Sequence, residues 1–262
     1  MSVRIPVVLP GLAAVLLLAA AVPAEAQPPG FRGANSSSVA IAAAISDRDR
    51  PQSDRAQDAR RKPVELIAFS GVTRRKKVAD VLPGDGYFTR LFSNVTGQGG
   101  RVYAIVPPGA EKRFPDKVKT LETTAASPEF SNVTIVRQSP TSFRVPEPLD
   151  VVWTSLNYHD LYYGQGEQAA LDFDKSAFAA LHPGGTFIVV DHVALPGASG
   201  NVAALHRIDP QIIIRQAQAA GFTLESRSDV LANPSDPHDK PVFDPSIRGR
   251  TDQVVLKFRR PA

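Results

Sequence analysis

Cysteine is absent from this sequence of 262 residues. That absence excludes disulfide scaffolds, thiolate zinc sites, iron–sulfur clusters and cysteine nucleophiles together. Charge of one sign is also scarce, because the net charge is only +4 and the arginines are scattered along the chain. The sequence therefore has no basic stripe interleaved with aromatic residues, and we expect no nucleic-acid partner.

Long apolar runs are confined to the N-terminal 26 residues, which have the pattern of an export signal. Arg4 precedes the apolar stretch, and Ala24-Glu25-Ala26 supplies the small residues that signal peptidase accepts. Prolines interrupt the stretch, so only residues 12–22 are continuously apolar, which is too short for a membrane-spanning helix. We expect a cleaved signal peptide over 1–26, a mature N-terminus at Gln27, a periplasmic or secreted location and no stable membrane anchor.

The composition of the chain, 43% hydrophobic and 21% charged, is typical of a globular protein with a full core. Residues 27–38 are rich in Pro, Gly, Asn and Ser and are predicted to be a flexible linker. Residues 39–262 are predicted to form one domain that begins with a helical extension.

Strand-like and helix-like patterns alternate through most of this domain. The predicted strands are 77–82, 101–106, 132–136, 150–154, 186–191, 222–228 and 253–258. The predicted helices between them are 87–95, 110–126, 171–181 and 210–220. This order predicts an α/β fold: a doubly wound, Rossmann-like, mostly parallel sheet of seven strands with helices on both faces. Because no helical pattern separates the last two strands, the C-terminal strand is expected to be antiparallel.

A glycine loop follows the first strand, in the stretch Asp80-Val81-Leu82-Pro83-Gly84-Asp85-Gly86. Glycines at a strand-to-helix turn let the backbone approach a ligand, and the helix start offers free N–H groups. The dinucleotide pattern G-x-G-x-x-G fails because Thr89 stands at its last position, and no P-loop motif is present. A purely structural turn remains an alternative interpretation of this loop.

The order of motifs resembles that of class I S-adenosylmethionine-dependent methyltransferases. The similarity spans the acidic residue and glycine loop, GRVYAIV as second strand, LDVVWTSLNYHD as the fourth-strand motif and ALHPGGTFIVVDH as the fifth. More narrowly, DARRKPVELIAFSGV, NYHDLYY, NPSDPHD and IRGRTDQVVLKF resemble an exported bacterial branch of predicted methyltransferases. The resemblance implies S-adenosylmethionine as cofactor and a small molecule as methyl acceptor.

By this resemblance, the predicted cofactor contacts are Asp80, Gly84, Gly86, Tyr87 and Asn157. Two positions depart from the family pattern. Leu82 replaces the first glycine of the loop, and Val106 stands where an acid usually binds the ribose hydroxyls. A valine cannot accept those hydrogen bonds. A non-catalytic small-molecule or nucleoside-binding module with the same fold is therefore the alternative function.

The candidate chemical cluster follows the fourth strand, at the edge where a doubly wound sheet binds its ligands. His159 is predicted to be a general base that Asp160 orients. The predicted substrate contacts are Tyr158, Tyr162, His192 and Arg248. A polar loop that merely caps the strand is the alternative interpretation. No His-x-x-x-His or comparable ligand spacing occurs, so no metal is expected.

Overall fold

The computed structural model describes Met1, residues 30–198 and residues 202–262. Apart from Met1, the predicted signal peptide and its cleavage site at Gln27 lie outside the described residues. Among the helices that are described, none combines the length and the apolar character that crossing a membrane requires.

A sheet of seven strands forms the centre of the molecule. In chain order the strands are β1 Lys77–Val81, β2 Arg101–Val106, β3 Val133–Arg137, β4 Leu149–Ser155, β5 Leu181–His192, β6 Thr223–Ser228 and β7 Gln253–Arg259. Their spatial order is β3-β2-β1-β4-β5-β7-β6. The first five strands are parallel, whereas β7 runs antiparallel to both β5 and β6. The predicted fold class is confirmed.

The helices pack on both faces of the sheet. They are α1 Gly30–Ser46, α2 Gln52–Arg61, α3 Pro63–Ser70, α4 Tyr87–Thr96, α5 Ala110–Arg113, α6 Pro115–Ala126, α7 Tyr158–Gln165, α8 Glu167–Ala180, α9 Val202–Leu205 and α10 Pro210–Ala219. Helices α1, α3 and α4 share a core with Val78, Trp153 and Ile188, which point to one face. Helices α7, α8 and α10 cover the other face, where Phe187 and Phe258 lie.

Local sequence explains where several of these helices begin and end. Asp209 caps α10 by accepting a hydrogen bond from the backbone N–H of Gln211 at 2.8 Å. Pro115, which disturbs the predicted helix over 110–126, divides it into α5 and α6 because proline cannot continue the hydrogen-bond ladder. The Pro then serves as the first residue of α6.

The N-terminal segment is more helical than the sequence predicted. Helix α1 begins at Gly30, so residues 30–38 are part of a helix where a flexible linker over 27–38 was expected. Ile41 and Ala44 of this helix are buried with Leu66 of α3 and Leu91 of α4. This apolar contact stabilises α1, although the polar sequence of its first half does not predict a helix.

The five parallel strands, β1 to β5, end at the same edge of the sheet. Ligands of doubly wound sheets bind at this carboxyl edge. The glycine loop leaves β1 here, and helix α7, which was not predicted as a helix, begins directly after β4.

Candidate functional site

The glycine loop turns sharply out of β1 and leaves one side open. Leu82 has φ 59° and Gly84 has φ 63°, both in the left-handed region. A Cβ built on Gly84 would meet no atom within 4 Å, so the missing side chain faces open space. For Leu82 the same region costs about 1–2 kcal/mol, since its Cβ crowds the backbone. Gly84 therefore fits the predicted role of a glycine beside a ligand.

Gly86 has a different environment. A Cβ on this residue would lie 2.9 Å from Cδ1 of Leu121 and 3.1 Å from Nη1 of Arg90. The glycine therefore makes room for α6, and its missing side chain does not face open space. Its backbone at the start of α4 is also engaged, because the Gly86 N–H donates to the Pro83 oxygen at 3.1 Å and the Gly86 oxygen accepts from the Arg90 N–H at 2.9 Å. The cofactor contact of Gly86 therefore stays a prediction.

Asp80 is buried on the α4 face of β1, with 3% of its surface exposed. Its Oδ2 accepts a hydrogen bond of 2.7 Å from Oγ1 of Thr89. Burial, which penalises the charged carboxylate, raises the pKa of Asp80 to about 7 despite that hydrogen bond. Asp80 thus lies at the predicted place beside the loop, but its side chain is already bound to α4.

The Tyr87 side chain is held by the N-terminal extension. Its hydroxyl donates to Oδ1 of Asp58 at 2.6 Å, and its ring is 1% exposed. The ring therefore packs against α2 of the N-terminal extension, and a cofactor could contact only its backbone.

Arg61, at the end of α2, is a cation that no sequence motif marks. Its guanidinium lies 4.5 Å from the centre of the Tyr87 ring. Burial, then repulsion from Arg60, lowers the pKa of Arg61, while Asp85 of the glycine loop opposes the change. Within the described parts of the chain, the Arg61 side chain has no hydrogen bond or ion pair. A half-buried guanidinium beside the loop is therefore available to bind an anion.

The second part of the site is a histidine held by a buried carboxylate. Oδ1 of Asp191, at the end of β5, lies 2.7 Å from Nδ1 of His159. The backbone N–H groups of His159 and His192 each donate to the same carboxylate at 2.8 Å. Burial alone would raise the pKa of Asp191, but the charge and hydrogen bond of His159 lower it. Burial likewise opposes charge on His159, but Asp191 outweighs burial and raises the pKa of the imidazole.

Asp191, not Asp160, therefore orients His159, which corrects the predicted pairing. Because the Asp191 carboxylate can only accept hydrogen bonds, Nδ1 of His159 donates its hydrogen to Asp191. Nε2 then points away from Asp191. It lies 3.3 Å from Nδ1 of His206 and 3.5 Å from Oδ1 of Asp160. His206 follows α9, and its proximity to His159 was not predicted.

His192, a predicted substrate contact, borders this group. Its ring centre lies 6.0 Å from that of His159, and its Nδ1 lies 2.9 Å from Oγ1 of Thr251. Burial lowers the pKa of His192 to about 4, so the imidazole is neutral near pH 7. His192 is 9% exposed, and substrate contact by it remains a prediction.

Asn157 connects the glycine loop to the cluster. Its Nδ2 donates to the backbone oxygen of Leu82 at 3.1 Å and to that of Ser155 at 2.7 Å. The amide therefore holds the ends of β1 and β4 together. Its predicted contact with the cofactor could involve only its remaining amide oxygen.

Tyr158 is a core residue, and the prediction that it contacts substrate is wrong. It is fully buried, and its hydroxyl donates to Oδ2 of Asp174 in α8 at 2.7 Å. Burial raises the pKa of Asp174 well above its usual value, despite the hydrogen bond from Tyr158. Tyr162, one turn further along α7, is half-buried and packs its ring edge-on against Tyr163 at 5.0 Å, so its predicted substrate contact remains a prediction.

The long loop over 229–252 covers this end of the sheet, but Arg248 does not anchor it. Arg248 is exposed, and its side chain has no hydrogen bond in the described part of the chain, so its role as a substrate contact remains a prediction. The loop is held by the buried pair Arg207–Asp236, with N–O distances of 2.8 and 3.0 Å. Phe243, which is 59% exposed, lies on the loop with its ring centre 4.9 Å from that of His206.

Val106, at the end of β2, is buried in a small apolar cluster with Ala104, Val118 and Leu121. The alternation of β2 directs its side chain toward α6. The carboxylate that the family pattern places at this position is thus replaced by an apolar contact with a helix.

No protein-family model matches this sequence, and no curated protein does either. The fold is similar to a SAM-dependent methyltransferase from Aquifex aeolicus, at 16% identity and TM-score 0.54, over 75% of this chain and 88% of that chain. It is similar to the CcbJ methyltransferase from Streptomyces caelestis, at 17% identity and TM-score 0.55, over 87% and 98% of the two chains. It is also similar to the [4+2]-cyclase SpnF, at 15% identity and TM-score 0.54, over 83% and 86%.

Two other matched structures are longer chains, of which this protein covers 47% and 57%. Together these similarities establish that the chain has the fold of class I SAM-dependent methyltransferases. They do not extend to a reaction, because a fold supports more than one chemistry and SpnF is a cyclase.

Proposed function

We propose that this protein is a SAM-dependent methyltransferase that acts on a small molecule. The proposal rests on one observation: the glycine loop and the His159 cluster lie next to each other and could form two halves of one site. The open side of the glycine loop and the oriented imidazole of His159 follow the ends of two neighbouring strands, β1 and β4, which Asn157 connects. Methyl transfer requires in-line alignment of two ligands, and adjacent sites on a rigid sheet edge provide it.

The glycine loop fits the amino-acid end of the cofactor. Gly84 leaves space for close approach of the backbone, and the unpaired guanidinium of Arg61 would bind the carboxylate. When bound, S-adenosylmethionine would supply an electrophilic methyl group on a positively charged sulfur. The ribose has no acidic partner at Val106, so we expect modest affinity.

The cluster fits an acceptor that carries a hydroxyl or an amine. Nε2 of His159 offers an oriented lone pair, and Asp191 stabilises the charge that protonation at Nε2 would create. In transfer to oxygen or nitrogen, the acceptor's proton passes to Nε2. Exposed Phe243 beside His206 provides an apolar contact, which favours an acceptor with an apolar body.

We further propose that the protein works outside the cytoplasm, as the export pattern ending at Ala24-Glu25-Ala26 indicates. In a Gram-negative host the mature chain should be released by osmotic shock, with an intact mass that begins at Gln27. A chain of full mass in the membrane fraction would contradict export with cleavage.

Calorimetric titration with S-adenosylmethionine and S-adenosylhomocysteine tests the cofactor half directly. Each should bind at one site per chain. Arg61→Met retains the aliphatic stem and should weaken binding by about 10–100-fold, because a charge-assisted hydrogen bond contributes about 1.5–3 kcal/mol. Arg60→Met is the matched control, since Arg60 is exposed and bonds only Gln57 in the described residues. No adenosyl binding by the folded protein would refute the proposal.

A second function, a binding module without turnover, is favoured by Val106 alone. An apolar residue at the ribose position weakens the case for the usual cofactor. A screen for S-adenosylhomocysteine release from S-adenosylmethionine, with periplasmic extract as the acceptor source, separates the two. Ligand binding with no release would support the binding module.

A further inference from the structure

Three potential metal ligands meet beside the end of β4. Nδ1 of His206 lies 3.3 Å from Nε2 of His159 and 3.2 Å from Oδ1 of Asp160. The third separation, from Nε2 of His159 to Oδ1 of Asp160, is 3.5 Å. We infer that these three side chains form a binding site for one divalent transition-metal ion, with zinc as the best match.

The separations are those of a tetrahedral site. With metal–ligand distances of about 2.0–2.1 Å, the ligand atoms of a tetrahedron lie about 3.3–3.4 Å apart. The three observed distances bracket this value. A metal could therefore bind with little movement of the side chains. Three protein ligands with an open fourth position are also the usual arrangement of a catalytic zinc.

Asp191 has the role of the carboxylate that supports a metal-bound histidine. Such histidines commonly donate their second N–H to a carboxylate, which fixes the ring and its tautomer. Here Nδ1 of His159 is bound to Asp191 at 2.7 Å, and two backbone N–H groups fix Asp191 in turn. The lone pair of Nε2 is consequently directed toward His206 and Asp160 before any metal arrives.

In the neutral form of His159, hydrogen bonding alone does not satisfy all three ligand atoms. With Nδ1 of His159 donating to Asp191, Nε2 is an acceptor in the neutral ring, as is the carboxylate of Asp160. Two acceptors therefore face one another at 3.5 Å, and the single hydrogen on Nδ1 of His206 must serve both. A cation at the centre would satisfy all three atoms at once. His206 has φ 54°, a strained conformation for a residue other than glycine, and such strain is often found at binding sites.

The donor set selects the type of metal. Magnesium and calcium prefer oxygen ligands, whereas two imidazoles and one carboxylate suit zinc, iron or other first-row metals. Access is open, because the Asp160 side chain is 58% exposed and that of His206 is 33% exposed. The fourth position could then hold water or the oxygen of a ligand.

The metal site depends only on the geometry of the cluster, but its use in catalysis rests on the proposed function. In that use, the acceptor's hydroxyl oxygen would bind the metal, which lowers the pKa of the hydroxyl so that its proton leaves to solvent. Nε2 of His159 cannot bind a metal and accept that proton at the same time. With a metal bound, His159 no longer accepts the proton. It still lies beside the molecule that accepts the methyl group.

The test is a calorimetric titration of the untagged, chelator-treated protein with Zn²⁺. We expect one site per chain, and His206→Ala and Asp160→Ala should each weaken binding by about tenfold or more. Asp160 is exposed, so its variant should fold normally. His182→Ala is the matched control, because His182 is also paired with a carboxylate, Asp150, but lies outside the cluster. Co²⁺ in the same site should show the intense visible absorption of tetrahedral coordination.

Zinc binding that is absent, or that is equal in the wild type and in the His206→Ala and Asp160→Ala variants, would overturn the inference. Adenosyl binding is measured on the same preparation, so the two proposals can fail separately. Zinc binding without adenosyl binding would support the metal site and refute the methyltransferase. Adenosyl binding and turnover without zinc binding would refute the metal site and leave His159 as the proton acceptor.

Discussion

Asp80→Asn should make the stability of this protein less dependent on pH. Asp80 is 3% exposed, and burial raises its pKa to about 7 from the ordinary value of 3.8. The folded state therefore holds a proton on this carboxyl between these two values, while the unfolded chain has released it. Folding takes up a proton over this range, so the free energy of unfolding falls as the pH rises.

The size of the effect follows from the difference between the two pKa values. Each pH unit corresponds to about 1.4 kcal/mol, so a difference of roughly three units gives on the order of 4 kcal/mol in total. About 2–3 kcal/mol of this should appear between about pH 5 and pH 8. Asparagine cannot ionise and can still accept the hydrogen bond from Thr89, so the variant should lack this part of the slope.

Chemical denaturation of both proteins over this pH range measures the effect. Other groups titrate too, so the informative quantity is the difference in unfolding free energy between the variant and the wild type. That difference should shift in favour of Asp80→Asn as the pH rises. A difference that stays constant from about pH 5 to pH 8 would refute the reasoning, because Asp80 would then be ionised in the folded protein throughout.

Three further predictions concern packing around the site. Gly84→Ala should reduce adenosyl binding, measured by titration, at a stability cost of about 1 kcal/mol, whereas Gly86→Ala should cost more stability because its Cβ meets Leu121 at 2.9 Å. Val106→Asp should destabilise the protein by at least about 2 kcal/mol in chemical denaturation, since it buries a charge among apolar side chains. Arg207→Met should cost about 3–5 kcal/mol and increase hydrogen exchange across 229–252, because Asp236 stays buried without its partner. Unchanged stability in the Gly86, Val106 or Arg207 variant would contradict the packing described for that residue, and unchanged stability of Gly84→Ala would contradict the left-handed backbone at Gly84.

The fold could be predicted because its signals are local. Apolar runs marked the strands, and Asp209 with Pro210 marked the start of α10. The site residues around β4 were harder to assign, since α7 begins immediately at Tyr158. Successive residues of a helix point about 100° apart, so Tyr158 enters the core while His159 reaches the sheet edge. Without that helix, all the residues of this motif are expected to face the site together.

Long-range packing explains the residues that the sequence did not reveal. His206 lies 47 positions after His159 in the sequence. The short stretch around His206 has no apolar periodicity of its own. Arg61 reaches the glycine loop because α2 docks on α4, through the buried pair Asp54–Arg90 and through Tyr87. No short motif encodes either contact. Each depends on how separate helices pack on the same edge of the sheet.

The backbone at this edge is strained at residues that support the two halves of the site. Leu82 and Leu156 follow β1 and β4 with φ of 59° and 61°, although neither is glycine. Leu82 N–H bonds Ile105 O at 3.1 Å, Leu156 N–H bonds Val190 O at 2.8 Å, and Asn157 holds the Leu82 carbonyl. Each left-handed residue costs about 1–2 kcal/mol, so these turns persist only because neighbouring strands hold them. A sheet edge fixed in this way can keep two bound ligands aligned, which is the main requirement of methyl transfer.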